Sequence, residues 1–295
     1  MLGFCRFFLI AIRPQQFGAR REMNDEEYSA ELASAEARNT RYDAELESGQ
    51  LGGGHWSEAT EALRLTSLIV DPTDGQLPEL TEEGRALSAR ERSGWVSGVT
   101  FDSVADFDSW ERCVTRGLPV SMLPRNYNNG IRILQTAGLV AITIEMAHET
   151  RLIPTDGTPP LDPGIRQWLG ESRGHWEGNT LVVETTNFNG LTHMTNPGVP
   201  GSNAPYTPIA TTEQMRLVER FTRTGPDTMD YQVTIDEPVV MTRPWTVAYP
   251  MRRDEDYRSF EYACHEYNTV VPNYIRNTSP RFMGEENAGA GFTPL

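Results

Sequence analysis

Short runs of alternating apolar and polar residues, separated by turn signals, fill most of the chain after residue 130. I-R-I-L-Q and L-V-A-I-T-I-E-M flank T-A-G, and T-L-V-V-E-T-T-N-F follows the turn W-E-G-N. Two further pairs are L-V-E-R-F-T-R with D-Y-Q-V-T-I, and W-T-V-A-Y with F-E-Y-A-C-H-E. Strands this short, without intervening helices of about 12 residues, are typical of an antiparallel meander.

A meander of about eight strands must close or stack to protect its edges. We therefore expect a mainly β protein with an antiparallel up-and-down barrel, lipocalin-like or calycin-like. The alternative is a β-sandwich. Taken as one strand, residues 139–153 carry polar side chains on both faces, so alternation does not identify the inward face.

The first part of the chain has helical signals instead. Asn24 precedes an acidic run, and Glu27 occupies the capping-box position, which predicts a helix over residues 25–47 that ends at G-Q-L-G-G-G. Thr81 predicts the start of a second helix and Asp108 the start of a third. We expect an N-terminal extension with an acidic helix over residues 1–64. A single β-barrel domain with irregular helical decoration follows over residues 65–295.

Charge and composition exclude several classes of function. The chain carries 26 basic and 41 acidic residues, a net charge of −15, which disfavours binding to nucleic acid. Every basic residue is arginine, so a lysine Schiff base and a Walker A loop are both excluded. No apolar run reaches the roughly 20 residues of a membrane span, so we expect no membrane insertion. Phosphate-binding and dinucleotide-binding glycine motifs are also missing, so we expect no cofactor.

The cysteines and the N-terminus do not by themselves decide the cellular compartment. Cys113 and Cys264 could form one disulfide or remain two free thiols, and Cys5 is the third cysteine. The N-terminal stretch M-L-G-F-C-R-F-F-L-I-A-I-R-P imitates a signal peptide, but its apolar run is short and it has no clear cleavage site. This N-terminus favours a cytoplasmic protein.

Two clusters of titratable residues are candidates for chemistry. In F-E-Y-A-C-H-E-Y-N, residues 260–268, a regular strand would point Cys264 and His265 to opposite faces, which argues against a nucleophile pair. His265 would then need a partner on another strand, and Glu145, His148 and Glu149 form the other cluster. The alternatives are cross-strand ion pairs, or a metal site of two His and two Glu that lacks the H-E-x-x-H spacing.

Aromatic residues near predicted turns form a second set of candidates. Trp168 and Trp176 flank a tight turn, and Arg166 and Arg173 could lie over their rings. They would line the mouth of the barrel as a wall for a flat apolar ligand, or they would close one end of it by stacking. The same pair of interpretations applies to Trp245 in R-P-W-T, and Tyr262 completes the predicted ligand-binding set.

Several phrases together resemble a large bacterial family of mostly uncharacterised, often exported proteins. They are S-L-I-V-D-P-T-D-G, I-R-Q-W-L-G-E-S-R-G-H-W-E-G-N-T-L-V-V-E-T-T-N-F, V-E-R-F-T-R, T-R-P-W-T and Y-A-C-H-E, and they cover about residues 65–270. The resemblance implies export, to the periplasm or beyond, in contrast to the N-terminus. It implies no reaction.

Two functional hypotheses remain. The first is a cofactor-independent lyase, isomerase or hydratase that acts on a small hydrophobic or aromatic molecule inside the barrel. In it, His265 is the general acid or base, Glu145 or Glu149 is its charge partner, and His148 is a second proton carrier. The alternative is a non-catalytic, lipocalin-like binding or structural protein, and a homo-oligomer is compatible with both.

Overall fold

The computed structural model describes residues 12–50, 52, 57–58, 61–93, 98–125, 127–194, 208–266 and 268–282. Antiparallel strands make up most of the regular structure in these ranges, with three α-helices beside them. The helices are α1 (Asp25–Ser48), α2 (Glu82–Ser88) and α3 (Val270–Thr278). The strands are β1 (Ile69–Asp71), β2 (Ile131–Thr136), β3 (Leu139–Ile144), β4 (Glu149–Pro154), β5 (Glu171–Glu177), β6 (Thr180–Thr186), β7 (Arg216–Arg223), β8 (Thr228–Asp236) and β9 (Trp245–Arg252).

The strands form two antiparallel sheets. One has six strands in the order β1-β9-β8-β7-β6-β5, and the other has three in the order β2-β3-β4. Apart from β1, each strand pairs with its neighbour in the chain, as expected of an up-and-down meander. β4 lies beside β5 without a backbone ladder, and a Cβ added at Gly174 would come within 2.9 Å of Ile153 Cγ2.

The mainly β, antiparallel prediction is confirmed. The closed barrel is not found, since no ladder joins the two sheets within the described residues. The inward faces of the sheets pack on each other instead. The core contains Ile131, Val140, Ile142, Ile144 and Ile153 from the small sheet, and Leu181, Val183, Leu217, Phe221, Tyr231, Val233, Ile235, Trp245, Val247, Tyr249 and Met251 from the large one.

The helices α1 and α2 begin at the cap residues that the sequence predicts. Asn24 Oδ1 accepts a hydrogen bond from Glu27 N, and Glu27 returns one to Asn24 N, which completes the capping box of α1. Thr81 caps α2 through a hydrogen bond from Gly84 N. The third predicted helix is wrong, because residues 109–113 form turns and the next helical element is a short 3₁₀ helix at Val120–Met122. Among the described helices, none has an apolar stretch long enough to cross a bilayer.

Two strand predictions are also wrong. Residues 260–266 and 268 are irregular or in a turn, and a disulfide between Cys113 and Cys264 anchors this segment. The run 139–153 is not one strand, because a 3₁₀ turn over Met146–His148 separates β3 from β4. Ala147 and His148 in that turn have φ values of 61° and 45°. Residues with left-handed backbone cannot continue a strand. The domain boundary after residue 64 stays a prediction.

Candidate functional site

An apolar cavity of about 250 Å³ opens between the two sheets, next to the β2–β3, β5–β6 and β7–β8 turns. Its walls come from strands of both sheets, and loop residues form its rim. The lining consists of Ile133, Gln135, Val140, Ile142, Trp176, Asn179, Leu181, Phe221, Arg223, Pro226, Asp227, Thr228 and Met229. We call this space the intersheet cavity.

Strand register brings the apolar lining together. Ile133 pairs with Ile142 across β2 and β3, so both side chains leave the small sheet on the same face. On the large sheet, Leu181 pairs with Trp176 on one side and with Phe221 on the other. The cavity therefore lies between two rows of cross-strand neighbours. Its walls are therefore formed by paired strands.

The rim of the intersheet cavity is polar. Arg223, the last residue of β7, donates hydrogen bonds to the carbonyl oxygens of Gly225 at 3.0 Å and Pro226 at 2.8 Å. Asp227 lies across the turn and pairs with Arg253 at 3.5 Å. An apolar pocket with a few fixed polar groups at its entrance is the usual form of a small-molecule site.

A buried ion pair lies next to the cavity. Arg151 pairs with Ile142 across β3 and β4, and its Nη1 donates to Glu219 Oε1 at 2.9 Å while Nη2 donates to Glu219 Oε2. The side chains of both residues are almost fully buried. Buried charges require a partner and further hydrogen bonds. The hydroxyls of Ser172 and Thr185 accept from Arg151 Nη2.

Tyr231 links this ion pair to the floor of the cavity. Its hydroxyl donates to Glu219 Oε1 at 2.9 Å, and its ring lies 4.9 Å from the ring of Phe221, which lines the cavity. Burial, together with the negative charge of Glu219, raises the pKa of Tyr231 well above its ordinary value. Tyr231 therefore stays protonated and acts as a fixed hydrogen-bond donor.

A second polar cluster lies where β3 ends, away from the β2–β3 turn. Glu145 is buried and accepts hydrogen bonds from Asn128 Nδ2 and from the Tyr257 hydroxyl, both at 2.7 Å. The Tyr257 hydroxyl is also 3.4 Å from Glu58 Oε1. Burial and the hydrogen bond to Glu145 raise the pKa of Tyr257. Glu145 is thus held as an acceptor by two donors.

His148 is the last residue of the 3₁₀ turn, and Glu149 follows it as the first residue of β4. Burial raises the pKa of Glu149, and the hydroxyls of Thr115 and Ser121 together with the charge of His148 oppose that rise. His148 itself is exposed, and its Nδ1 is 3.1 Å from the carbonyl oxygen of Tyr262. A partly buried carboxyl with a raised pKa beside an imidazole is a candidate acid–base pair.

Backbone strain is concentrated around this second cluster. Of the five non-glycine residues with positive φ in the described chain, four belong to it or adjoin it: Cys113, Asn128, Ala147 and His148. Conformations of this kind persist only where surrounding contacts fix them. The disulfide, the Glu145 hydrogen bonds and the His148 contact supply such constraints.

The structure does not bring His265 to the predicted carboxylates. His265 is exposed in a turn, and within the described residues its imidazole has no hydrogen bond or ion pair with Glu145 or Glu149. Glu145 and Glu149 themselves lie on either side of one 3₁₀ turn with His148. Three of the four predicted catalytic residues are therefore neighbours, and the fourth lies apart.

The predicted ligand-binding residues are scattered. Trp176 lines the intersheet cavity and is 45% exposed. Trp168 lies under the guanidinium of Arg112 and not of Arg166, which pairs with Glu213 at 3.0 Å instead. Trp245 is buried in the core on β9.

The last of these predicted residues, Tyr262, lies beside the second cluster. Its hydroxyl accepts a hydrogen bond from Trp110 Nε1 at 3.1 Å. Only Trp176 of the predicted set lines the cavity, and the ligand contacts of all five remain predictions.

The sequence interpretation missed most of the cavity and the ion pair next to it. Alternation places Phe221 and Glu219 on one face of β7, and the same rule applied to β4 as a separate strand places Arg151 with Ile153. A charged residue on an otherwise apolar strand face was the available signal. Without strand pairing, however, Arg151 and Glu219 cannot be joined.

Comparisons with protein-family models, curated proteins and solved structures found no match for this chain. The resemblance to the exported bacterial family stays a prediction. Within the described residues, no group of three or more His, Cys, Asp or Glu side chains could hold a metal ion.

Proposed function

We propose that the protein binds a small apolar or aromatic molecule in the intersheet cavity. The observation that carries the proposal is an open apolar space between two packed sheets, with Trp176 at its entrance and Phe221 at its floor. Preformed apolar pockets release ordered water and gain van der Waals contacts when a ligand of matching shape enters.

The volume of the cavity limits the size of the ligand. An apolar cavity of about 150 Å³ is large enough for benzene. The intersheet cavity, at about 250 Å³, therefore suits a molecule of roughly ten non-hydrogen atoms. Two fused aromatic rings or a short alkyl chain fall in this range.

The lipocalin-like interpretation of the fold belongs to this proposal. Up-and-down β proteins of the lipocalin type hold one small ligand among inward-facing side chains, with access at one end. The described strands follow the same up-and-down order, and the cavity opens at one end of the meander. Ligand binding at that end would make the protein similar to lipocalins in function as well as in strand order.

The proposal can be tested with naphthalene, which has ten carbon atoms and is fluorescent. We expect wild-type protein to bind it and Ile133→Trp to lose most of that binding, because the indole would fill the space between β2 and Phe221. Leu134→Trp is the matched control, since Leu134 is 53% exposed on the opposite face of the same strand. Equal binding by wild type and Ile133→Trp would contradict the proposal.

A second candidate function is acid–base catalysis at Glu149, in line with the predicted lyase or isomerase. It is favoured by one observation: burial raises the pKa of Glu149 beside His148, so the carboxyl holds its proton more firmly than an exposed glutamate does. Such a group could accept and return a proton during an isomerisation. Glu145 would position the strained turn through its two hydrogen bonds.

This candidate predicts proton exchange at a carbon atom. We would incubate the protein in D₂O with a panel of small aromatic ketones and follow deuterium incorporation by NMR. Exchange by wild type that is lost in Glu149→Gln and kept in His265→Gln would favour this pair over the arrangement predicted from sequence. Exchange that survives Glu149→Gln would exclude Glu149 as the base.

A further inference from the structure

Arg223 provides a cation at the entrance of the intersheet cavity. It follows Glu219 and Phe221 at alternate positions of β7, so its side chain leaves the sheet on the inward face. Because it is the last residue of the strand, its guanidinium lies at the rim, above the apolar lining. A ligand whose apolar part fills the cavity would therefore end near Arg223.

The guanidinium of Arg223 is held in place, and no carboxylate among the described residues neutralises its charge. Its Nε and Nη2 donate to the carbonyl oxygens of Gly225 and Pro226. In the part of the chain that the structure describes, Nη1 has no acceptor and no Asp or Glu oxygen lies within ion-pair distance. The acid at the rim, Asp227, pairs with Arg253 at 3.5 Å.

Most other arginines near the sheet surface are paired. On the outer face of the large sheet, Arg216 pairs with Glu184 at 2.6 Å and Arg220 with Glu177 at 2.7 Å. In a chain with 41 acidic and 26 basic residues, carboxylate partners are abundant. An anchored arginine without one, at the entrance of an apolar cavity, has the form of a receptor for an anionic group.

We infer that the ligand of the intersheet cavity is a medium-chain carboxylate, whose alkyl or aryl part fills the cavity while its carboxylate binds Arg223. This inference rests on the proposed function and adds the chemical class of the ligand. The carboxylate would accept hydrogen bonds from the end of the guanidinium that carries Nη1. The two loop carbonyls preorganise that end, which reduces the entropy lost on binding.

Because the protein has a large negative net charge, a preference for a carboxylate ligand must arise close to Arg223. A protein with a net charge of −15 repels a free carboxylate at long range. The attraction must come from one fixed cation at short range. Added salt screens both this attraction and the long-range repulsion, so the preference is compared at low and at high salt. An uncharged ligand of the same length would use the apolar contacts alone and would show little dependence on salt.

The test compares decanoate, decanol and decylamine, which share a ten-carbon chain and differ in the head group. Each is titrated by calorimetry into wild type, Arg223→Gln and Arg216→Gln at low and high salt. Arg216→Gln is the control, because it removes one arginine from the outer face at the other end of β7. Both arginines are exposed, so neither change disturbs the core.

We expect decanoate to bind wild type about tenfold more tightly than decanol at low salt. Arg223→Gln should abolish that preference, and Arg216→Gln should keep it. Equal affinity for decanoate and decanol, or a preference for decylamine, would overturn the inference and leave the proposed function intact. Failure of all three ligands to bind, together with failure of naphthalene, would overturn both.

Discussion

At the scale of single residues, the least expected feature is a fully buried arginine–glutamate pair in the centre of a β core. Arg151 and Glu219 lie between the two packed sheets, where Tyr231, Ser172 and Thr185 form further hydrogen bonds with them. A pair of this kind contributes little net stability compared with apolar residues of the same size. Removal of one partner, however, leaves an isolated buried charge.

Arg151→Met should destabilise the protein by about 3 to 5 kcal/mol, because Glu219 would remain buried without its partner. The double change Arg151→Met, Glu219→Leu should cost less than the sum of the two single changes. Urea unfolding of the four proteins measures this coupling. Arg216→Met, which breaks an exposed pair, is the control and should cost less than about 1 kcal/mol. Strict additivity at Arg151 and Glu219 would contradict the structure.

Glu149 makes stability depend on pH. Burial raises the pKa of its carboxyl in the folded protein above the ordinary value of 4.5. The folded state therefore binds this proton more tightly than the unfolded chain does. The resulting stabilisation is fully present below about pH 4.5 and is lost as the pH rises through the folded-state pKa.

Glu149→Gln removes this titration. We expect the variant and wild type to be similar in stability near pH 4, and the variant to gain relative to wild type as the pH rises toward about pH 8. Thermal unfolding across this range measures the difference. Glu83→Gln, an exposed change on α2, controls for the loss of one negative charge. A difference that stays constant with pH, or reverses, would argue against a raised pKa at Glu149.

At the scale of elements, the sequence identified strands where alternation and turn residues agree, as in β2, β3 and β6 to β9. The strand predictions fail where contacts with distant segments take the place of backbone pairing between strands. Residues 260–268 have a strand-like composition, but Tyr262 and Cys264 bind to the 109–117 region through a hydrogen bond and a disulfide. Neither contact has a local signature. The break at Ala147 and His148 was missed for the same reason, because contacts to other parts of the chain hold it.

The disulfide between distant segments leads to a prediction about stability. Cys113 and Cys264 are 151 residues apart, so the bond should stabilise the protein by about 5 kcal/mol in the chain-entropy model. The double variant Cys113→Ser, Cys264→Ser should lose this amount in urea unfolding under oxidising conditions. It should then match the reduced wild type in stability. A variant as stable as the oxidised protein would contradict this stabilisation.

At the scale of the whole molecule, two packed antiparallel sheets leave one end open, and that opening is the basis of the functional account. The candidate site could be predicted only in part from sequence. Trp176 was recognisable as an aromatic residue beside a turn, whereas Ile142 and Phe221 are ordinary core residues until strand pairing places them on opposite walls. The proposed role of Arg223 likewise depends on its position at the cavity entrance, which the sequence alone does not show.

A crystal structure of the protein soaked with 1-bromonaphthalene would test ligand binding in the intersheet cavity directly. The anomalous signal of bromine would locate the ligand without reference to its shape. We expect a peak inside the intersheet cavity, between Ile142 and Phe221 and close to Trp176. A cavity without a peak, while bromine is bound elsewhere or nowhere, would overturn the proposed function.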